Sequence, residues 1–149
     1  MTGNTDAQIR HIHDRWHKTV VTRDLDSLMA LYAEDAILET PLILVTLTDR
    51  TQGVLRGKTE IRRFFAAGLR KLGNELNRWH RTGLFFSNGQ QLTWEYPRET
   101  PHGDQVDLVE VMDVADGLIA HHRVYWGWVG FQTLQDTLKK SGPVRNETE

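Results

Sequence analysis

The sequence contains no cysteine among its 149 residues, so disulfide bonds, thiolate zinc sites and cysteine nucleophiles are all excluded. No apolar run approaches the length of a membrane span, and LILV at residues 42–45 has only four residues. The N-terminal residues lack the apolar core of a signal peptide. We therefore expect a soluble, cytoplasmic protein that does not bind membranes.

An excess of charge is also missing, since the formal net charge is −2. This balance gives no electrostatic reason to expect a nucleic-acid partner. The sequence has neither a phosphate-cradling glycine loop nor a Gly-x-Ser-x-Gly nucleophile motif. His13 and His17 are four residues apart and are able to share a helix face, as metal ligands do. The favoured interpretation is that they border an apolar stripe in a half-solvated position, and without a third ligand nearby we predict no metal site.

What the chain does contain is an ordinary globular composition, with 39% hydrophobic and 26% charged residues. Its length is sufficient for one domain with a real core. We expect a single domain over residues 1–149, with its core at about 5–130 and a polar, flexible tail at about 141–149.

Helical periodicity predicts three helices in the first half of the chain. The first covers residues 5–22, capped by Asn4 or Thr5, and the second runs from a cap at Asp24 or Asp26 through Ala33. The third covers residues 58–72, before the stop signals Gly73 and Asn74. Between the last two helices, residues 35–41 are predicted to be extended, and residues 42–54 to form a strand end and a loop.

The second half predicts an antiparallel meander of four strands. These are residues 78–87, 90–98, 105–114 and 118–129, joined by turns at Asn88-Gly89, residues 101–104 and residues 115–117. Residues 131–140 are predicted to add a short helix or an edge strand. Helices followed by antiparallel strands indicate the α+β class, and a bent sheet across three helices would leave a concave interior for a small ligand.

The third strand of this meander carries the first candidate for chemistry. Alternation places Glu110 on one face with Leu108 and Met112, whereas Val109 and Val111 lie on the other face. A carboxylate on an apolar face is costly unless it is bonded, paired or neutral. Glu110 is therefore either a functional acid or base, or a structural carboxylate bonded to a neighbouring side chain.

Four segments, taken together, resemble the SnoaL-like and ketosteroid-isomerase-like branch of the nuclear transport factor 2 superfamily. They are LYAEDAILETP at 31–41, GKTEI at 57–61 with the following Phe pair, DLVEVM at 107–112, and DGLI at 116–119 with VYW at 124–126. The resemblance covers roughly residues 8–130. It implies a cystatin-like, nuclear transport factor 2-like fold: a cone-shaped curved antiparallel sheet packed on three N-terminal helices, around an apolar pocket.

The resemblance also implies roles for individual residues. In the isomerases of this superfamily an aspartate moves the substrate proton, and a tyrosine and a protonated aspartate hold the oxyanion. Thr40 stands at the first position, and its hydroxyl is not a useful base at neutral pH. Trp16 replaces the tyrosine, and Glu110 stands at the oxyanion position. Two supporting tyrosines correspond to Tyr32 and to Phe65, and Trp126 matches an aromatic residue of the pocket wall.

These observations define a candidate site. Glu110, His122 and Tyr32 are the predicted catalytic residues, since His122 should face Glu110 and titrates near neutral pH. His121 should point outward, while Val124 and Trp128 should share the inner face with His122. The predicted ligand-binding residues are Trp16, Thr40, Phe65, Trp94, Leu108, Met112 and Trp126. Trp94 is also explained by a purely structural role in the core.

Two functions follow from the candidate site. The first is the binding of a small apolar or aromatic molecule, polyketide- or steroid-like, with isomerisation, cyclisation, hydration or epoxide opening by acid–base chemistry that needs no cofactor. The second is a non-catalytic dimer that binds a ligand or a partner chain. A weaker alternative is a domain that stabilises another protein through its sheet face. Either way, the outer sheet face around Val109 and Val111 predicts a homodimer through the sheet.

Overall fold

The computed structural model describes residues 3–71, 80–97 and 107–141, which form five helices and six strands. The helices are α1 (Asp6–Thr22), α2 (Leu25–Met29), α3 (Leu42–Thr46), α4 (Lys58–Lys71) and α5 (Trp128–Ser141). The strands are β1 (Tyr32–Glu39), β2 (Val54–Arg56), β3 (Phe86–Ser87), β4 (Gln91–Tyr96), β5 (Leu108–Ala115) and β6 (Leu118–Trp126).

Helix α1 forms where the sequence predicts it, because its apolar residues recur at helical spacing and its ends are capped. At its start the Thr5 side chain accepts from the Gln8 backbone N–H, and the Gln8 side chain accepts from the Thr5 backbone N–H. The helix ends at Thr22, and the C-cap residue that follows, Arg23, adopts a left-handed conformation with φ of 59°. Its buried face then packs toward the sheet and carries Trp16 into the core.

The six strands form one open, curved sheet in the order β2-β1-β6-β5-β4-β3. The last four strands make the predicted antiparallel meander, with the Asn88-Gly89 turn between β3 and β4. Strand β1, in contrast, pairs with β6 in parallel. The meander pattern does not predict this parallel pair, because no hairpin links two strands so distant in sequence. The α+β class, with one curved sheet packed against helices, is confirmed.

Two local predictions in the first half of the chain were wrong. Helix α2 ends at Met29 rather than at Ala33, because Tyr32 already pairs with Ile119 in the sheet. Residues 42–46, which we expected in a strand end or loop, form helix α3. A run of four apolar residues has no periodicity with which to distinguish a strand from a short buried helix.

Two predictions in the second half were also wrong. The strand expected at 78–87 is confined to Phe86 and Ser87 within the described residues, and positions 78 and 79 lie outside them. Strand β6 ends at Trp126, so Trp128 begins helix α5 and is 66% exposed rather than pointing inward. The helical alternative for the region after β6 is therefore confirmed.

Several predicted features lie outside the described residues. They are the stop signals at Gly73 and Asn74, the turn at 101–104, the first two positions of the predicted strand at 105–114, and the tail beyond residue 141. Within the described residues no helix has the length and apolar character needed to span a membrane.

The core lies between the inner face of the sheet and helices α1, α2 and α4. Strand β5 crosses the middle of the sheet, and its alternation is the predicted one: Glu110, Met112 and Val114 are buried, whereas Val109 and Val111 are half-buried on the outer face. The outer face also carries Asp113 and Arg123, which form a two-bond ion pair with both distances at 2.7 Å. The sheet therefore presents two chemically different faces, and Glu110 lies on the covered one.

Candidate functional site

Glu110 lies in the core, at the centre of the sheet. Its backbone is in register with Trp94 on β4 and Val124 on β6, and the residue is only 2% exposed. The free-energy cost of removing a carboxylate from water is large unless hydrogen bonds replace its hydration. The contacts of Glu110 therefore decide whether it is tolerated as a charged group.

The partner of Glu110 is His122, as predicted. The two side chains face each other from adjacent strands, and His122 Nε2 lies 2.5 Å from Glu110 Oε2. His122 is itself buried. Its neighbour His121 points outward, as expected, and contacts Glu39. Alternation along β6 thus divides two consecutive histidines between the core and the outer face.

The contact continues through two more buried side chains. The other nitrogen of His122, Nδ1, lies 2.9 Å from the Tyr32 hydroxyl. The same hydroxyl accepts a hydrogen bond of 2.9 Å from Trp16 Nε1. We call this series of four residues, from Trp16 through Tyr32 and His122 to Glu110, the polar chain. It joins α1, β1, β6 and β5, so four separate elements determine its geometry.

Donor and acceptor capacity gives the polar chain a direction. The Trp16 N–H only donates, so the Tyr32 oxygen is its acceptor. If the Tyr32 O–H donates to His122 Nδ1, then His122 Nε2–H donates to the Glu110 carboxylate, and every hydrogen in the chain has an acceptor. A protonated Glu110 would instead require His122 Nδ1–H to donate to Tyr32, and the Tyr32 hydrogen would lose its acceptor. The geometry therefore favours an ionised Glu110 that accepts from a neutral histidine.

The environment of Tyr32 supports this assignment. Burial raises the pKa of the Tyr32 hydroxyl well above its ordinary value, and the negative charge of Glu110 acts in the same direction. The bond from Trp16 opposes this shift but does not reverse it. Tyr32 therefore keeps its proton at any physiological pH and acts as a donor toward His122.

Three of the predicted ligand-binding residues surround the polar chain. The rings of Phe65 and Trp94 lie 6.5 Å and 5.4 Å from that of Trp16, and both make edge contacts with it. Phe65 also lies 6.1 Å from the Tyr32 ring. Met112 is fully buried on the Glu110 face of β5. The surroundings of Glu110 and His122 are thus aromatic and apolar.

The other three predicted ligand-binding residues lie near the end of β6. The Trp126 indole N–H donates to Thr40 Oγ1 at 3.2 Å, and Leu108 is in register with Trp126. Thr40 also lines an open cavity of about 310 Å³ at this end of the sheet. The described contacts link none of these three side chains directly to the polar chain by a hydrogen bond.

A second group of titratable side chains packs between α1 and β4. We call it the histidine cluster and define it as His13, His17 and His80. The His17 and His80 rings stack at 3.5 Å, and the His13 ring lies 5.3 Å from that of His80. The i, i+4 spacing in the sequence placed His13 and His17 on one helix face, but nothing local indicated that His80 would join them. Among the described residues, no three such side chains are arranged to hold a metal ion.

The family comparison matches a SnoaL-like domain to residues 13–122 of this chain. The matched region includes every residue of the polar chain. No match was found among curated proteins.

Solved structures show the same fold at low sequence identity. A SnoaL-like protein from Burkholderia thailandensis is 19% identical and has a TM-score of 0.63, with 85% of this chain and 100% of that chain covered. A cystatin-like fold protein from Methylobium petroleophilum is 13% identical with a TM-score of 0.64, covering 85% and 80%. An epoxide hydrolase from M. tuberculosis, described as LEH-like, is 16% identical with a TM-score of 0.61, covering 91% and 95%. At these identities the likeness establishes the fold alone, and it confirms the predicted cystatin-like, nuclear transport factor 2-like architecture.

Proposed function

Because the chain belongs to the SnoaL-like domain family, we propose that it binds a small apolar or aromatic molecule in an internal pocket and transfers a proton with Glu110. The observation that supports this proposal best is the state of the Glu110 carboxylate. Its oxygen Oε2 lies 2.5 Å from His122 Nε2, and the buried carboxylate is surrounded by aromatic and apolar side chains. A buried carboxylate that one histidine holds in apolar surroundings is suited to accept a proton from a bound molecule.

The other residues of the polar chain act as positioning residues in this proposal. His122 holds the carboxylate in one orientation and stabilises its negative charge through the Nε2–H bond. Tyr32 fixes the tautomer of His122, and Trp16 fixes the hydroxyl of Tyr32. Because all four groups are buried, no reorganisation of water is needed when a proton arrives at Glu110.

The reaction class that suits a single buried base is isomerisation. Glu110 removes a proton from carbon next to an electron-withdrawing group and returns the proton to another atom of the same molecule. Atoms balance without an oxidant or a cofactor. Cyclisation, and hydration of the kind that an epoxide hydrolase performs, begin with the same proton removal, from carbon or from water. The solved hydrolase with this fold makes hydration the second candidate, at the same residue.

The proposed pocket is lined by the aromatic and apolar side chains around the polar chain, together with Thr40, Leu108 and Trp126. Phe65 and Trp94 offer ring faces and edges within about 6.5 Å of Trp16. Aromatic walls of this kind bind flat, apolar molecules by area and by ring contacts. An aromatic or polycyclic ligand therefore suits the surroundings of Glu110 better than a sugar or a phosphate ester.

We also infer a homodimer formed through the outer sheet face. Val109 and Val111 are half-buried there, Tyr125 is 56% exposed, and the Asp113–Arg123 pair provides a polar border. A second copy would cover this face with a surface of the same chemistry, as two-fold dimers do. Without a working base, the same dimer would be a ligand carrier, which is the non-catalytic alternative.

The experiment that tests the base uses 5-nitrobenzisoxazole, whose ring opens when a base removes one carbon-bound proton. The N–O bond breaks as the C–H electrons form a nitrile, and the coloured phenolate is followed by absorbance. We expect the purified protein to accelerate this reaction and Glu110→Gln to lose about 100-fold or more of the rate. Glutamine keeps the acceptor for His122 but cannot take the proton.

Glu95→Gln provides the matched control, because Glu95 is an exposed carboxylate on the neighbouring strand β4. It should keep the full rate. Equal rates for the wild-type protein and Glu110→Gln would refute the role of Glu110 as a base and leave the non-catalytic dimer.

A further inference from the structure

The histidine cluster lies beside the proposed pocket and is not used by the polar chain. His13 is fully buried in α1, and its ring lies 5.2 Å from that of Trp94 in an edge-on arrangement. His17 Nδ1 lies 2.9 Å from the Tyr96 hydroxyl, and His80 stacks on His17. Three imidazoles, one indole and one phenol thus meet between α1 and β4.

Polar atoms of this region are left without partners. His13 Nε2, His80 Nδ1 and Trp94 Nε1 are buried and form no hydrogen bond with any described residue. The Trp94 N–H is close enough to the Tyr96 hydroxyl to influence its pKa, but it does not meet hydrogen-bond geometry there. Buried polar atoms are nearly always paired in folded proteins, so unpaired atoms on the His13 and Trp94 rings, whose centroids lie 5.2 Å apart, indicate a site for a polar group from outside the chain.

The hydrogen-bond capacity of these atoms defines the group that would fit. His13 Nδ1 lies 2.9 Å from Asp14 Oδ1, so the Nδ1 hydrogen is donated to that carboxylate, and in the neutral form of the ring Nε2 carries a lone pair. The Trp94 N–H is a pure donor. An acceptor beside a donor is the complement of a hydroxyl group, which donates through its hydrogen and accepts through its oxygen.

The charge state of His80 favours a neutral group over an anion at this position. Burial lowers the pKa of His80 below its ordinary value, and the neighbouring His13 shifts it in the same direction, while Asp14 opposes the shift. A carboxylate would need protonated imidazoles, whereas an alcohol or phenol is bound by neutral ones.

Aromatic rings connect this region to Glu110. The Trp94 ring lies 5.4 Å from that of Trp16, and the Trp16 ring lies 5.6 Å from that of His122. On the other side, Phe85 lies 4.6 Å from His13. The histidine cluster and the polar chain thus lie at the two ends of one row of aromatic rings, formed by Trp94 and Trp16.

We propose that His13 Nε2 and the Trp94 N–H bind a hydroxyl group of the ligand, so that the ligand is a hydroxylated aromatic or polycyclic compound whose other end reaches Glu110. This inference rests on the proposed function, because it assumes a ligand beside the polar chain. It adds the class of ligand and a second point of attachment, at a position distant from the proton transfer.

The test compares two probes of the same shape, 2-naphthol and 2-methylnaphthalene, by titration calorimetry at pH 8. The wild-type protein should bind 2-naphthol about fivefold more tightly or better, as expected for one buried hydrogen-bond site. His13→Phe keeps an aromatic ring without the nitrogen and should reduce this preference to about one. Trp94→Phe should do the same and serves if His13→Phe does not fold. His11→Phe, an exposed position on the same helix, should keep the preference.

Each outcome has a distinct meaning. If both probes bind equally, the hydroxyl site is refuted while the aromatic pocket stands. If neither probe binds, the proposed function fails and the hydroxyl site fails with it. A preference that survives both His13→Phe and Trp94→Phe places the hydroxyl elsewhere and refutes the assignment. Stoichiometric binding of Zn²⁺ that disappears in His13→Phe would show a metal site instead, and would also refute it.

Discussion

At the scale of single residues, Glu110 is a buried carboxylate whose contacts are made by side chains from other elements. Alternation along β5 predicts that Glu110 faces inward beside Met112. That His122 meets Oε2, and that Tyr32 and Trp16 extend the contact, depends on how β1, β6 and α1 pack. Alternation along β6 predicted that His122 faces Glu110, the family resemblance suggested Tyr32 and Trp16, and the structure gives the order in which the four residues bond.

A substitution of Tyr32 tests the contribution of the polar chain to stability. In Tyr32→Phe the Trp16 N–H and His122 Nδ1 both lose their partner in the core, and a buried unpaired polar group is costly. We expect a loss of about 2 kcal/mol or more in the free energy of unfolding, or about 4–8 °C in Tm. Urea unfolding measures the change. Tyr125→Phe removes a hydroxyl from an exposed tyrosine and should change stability little, and an equal loss in both variants would contradict the chain.

The environment of His80 predicts how the free energy of unfolding depends on pH. Its pKa in the folded chain is lowered, chiefly by burial and then by His13, whereas the unfolded chain should titrate near the ordinary value of 6.5. Below pH 6.5 the unfolded state therefore binds more protons than the folded state, so the free energy of unfolding decreases as the pH falls. Above pH 6.5 His80 contributes no pH dependence. Among the described residues, the titratable groups beside His80 are His13, His17, Tyr96 and Asp14.

Urea unfolding at pH 8 and at pH 5 measures this dependence. His80→Gln should reduce the difference between the two pH values, whereas His11→Gln, at an exposed position, should leave the difference unchanged. The same loss of stability in wild-type protein and His80→Gln would show that other groups cause it.

At the scale of elements, helix α5 shows how a contact distant in sequence holds an element in place. Asp107 lies just before β5, and its Oδ1 accepts from the Gly130 backbone N–H at 2.9 Å. The Asp107 backbone carbonyl accepts from Gly127 N–H at 2.9 Å. Any Cβ at position 127 would collide with the Asp107 carboxylate. The sequence therefore has glycine where β6 turns into α5, although periodicity alone left a helix and an edge strand equally open.

Gly127→Ala tests this junction. The added methyl group must displace Asp107, so we expect a loss of about 1–3 kcal/mol, as for other overpacked sites. Hydrogen exchange should show faster opening of α5. Gly3→Ala is the control, because a Cβ there would meet no heavy atom within 4 Å. Unchanged stability in Gly127→Ala would show that α5 does not depend on the Asp107 contact.

At the scale of the whole molecule, the two faces of the sheet differ in their residues and in what covers them. Its inner face is covered by helices and carries the polar chain, whereas its outer face carries Val109, Val111 and Tyr125. Apolar residues on an open sheet face are usually covered by another element or another chain. Our proposal of a homodimer follows from this asymmetry.

Sedimentation equilibrium measures the mass of the protein in solution and so tests for the dimer. The wild-type protein should have twice the mass of one 17.2 kDa chain, and Tyr125→Asp should shift it toward one chain by weakening the dimer at least tenfold. His11→Asp carries the same new charge on the helical side of the molecule and should remain a dimer. A wild-type protein with the mass of a single chain at micromolar concentration would refute the interface.

The sequence by itself determined the local features: the stripe and caps of α1, the turn at Asn88-Gly89, and the inward direction of Glu110. Each depends on residues within a few positions of each other, where periodicity and capping act. Only the tertiary structure decided that β1 pairs with β6 in parallel, and that His80 stacks on His17. Local patterns indicate which face of an element is buried, but not which distant element covers it, and the proposed chemistry depends on those distant contacts.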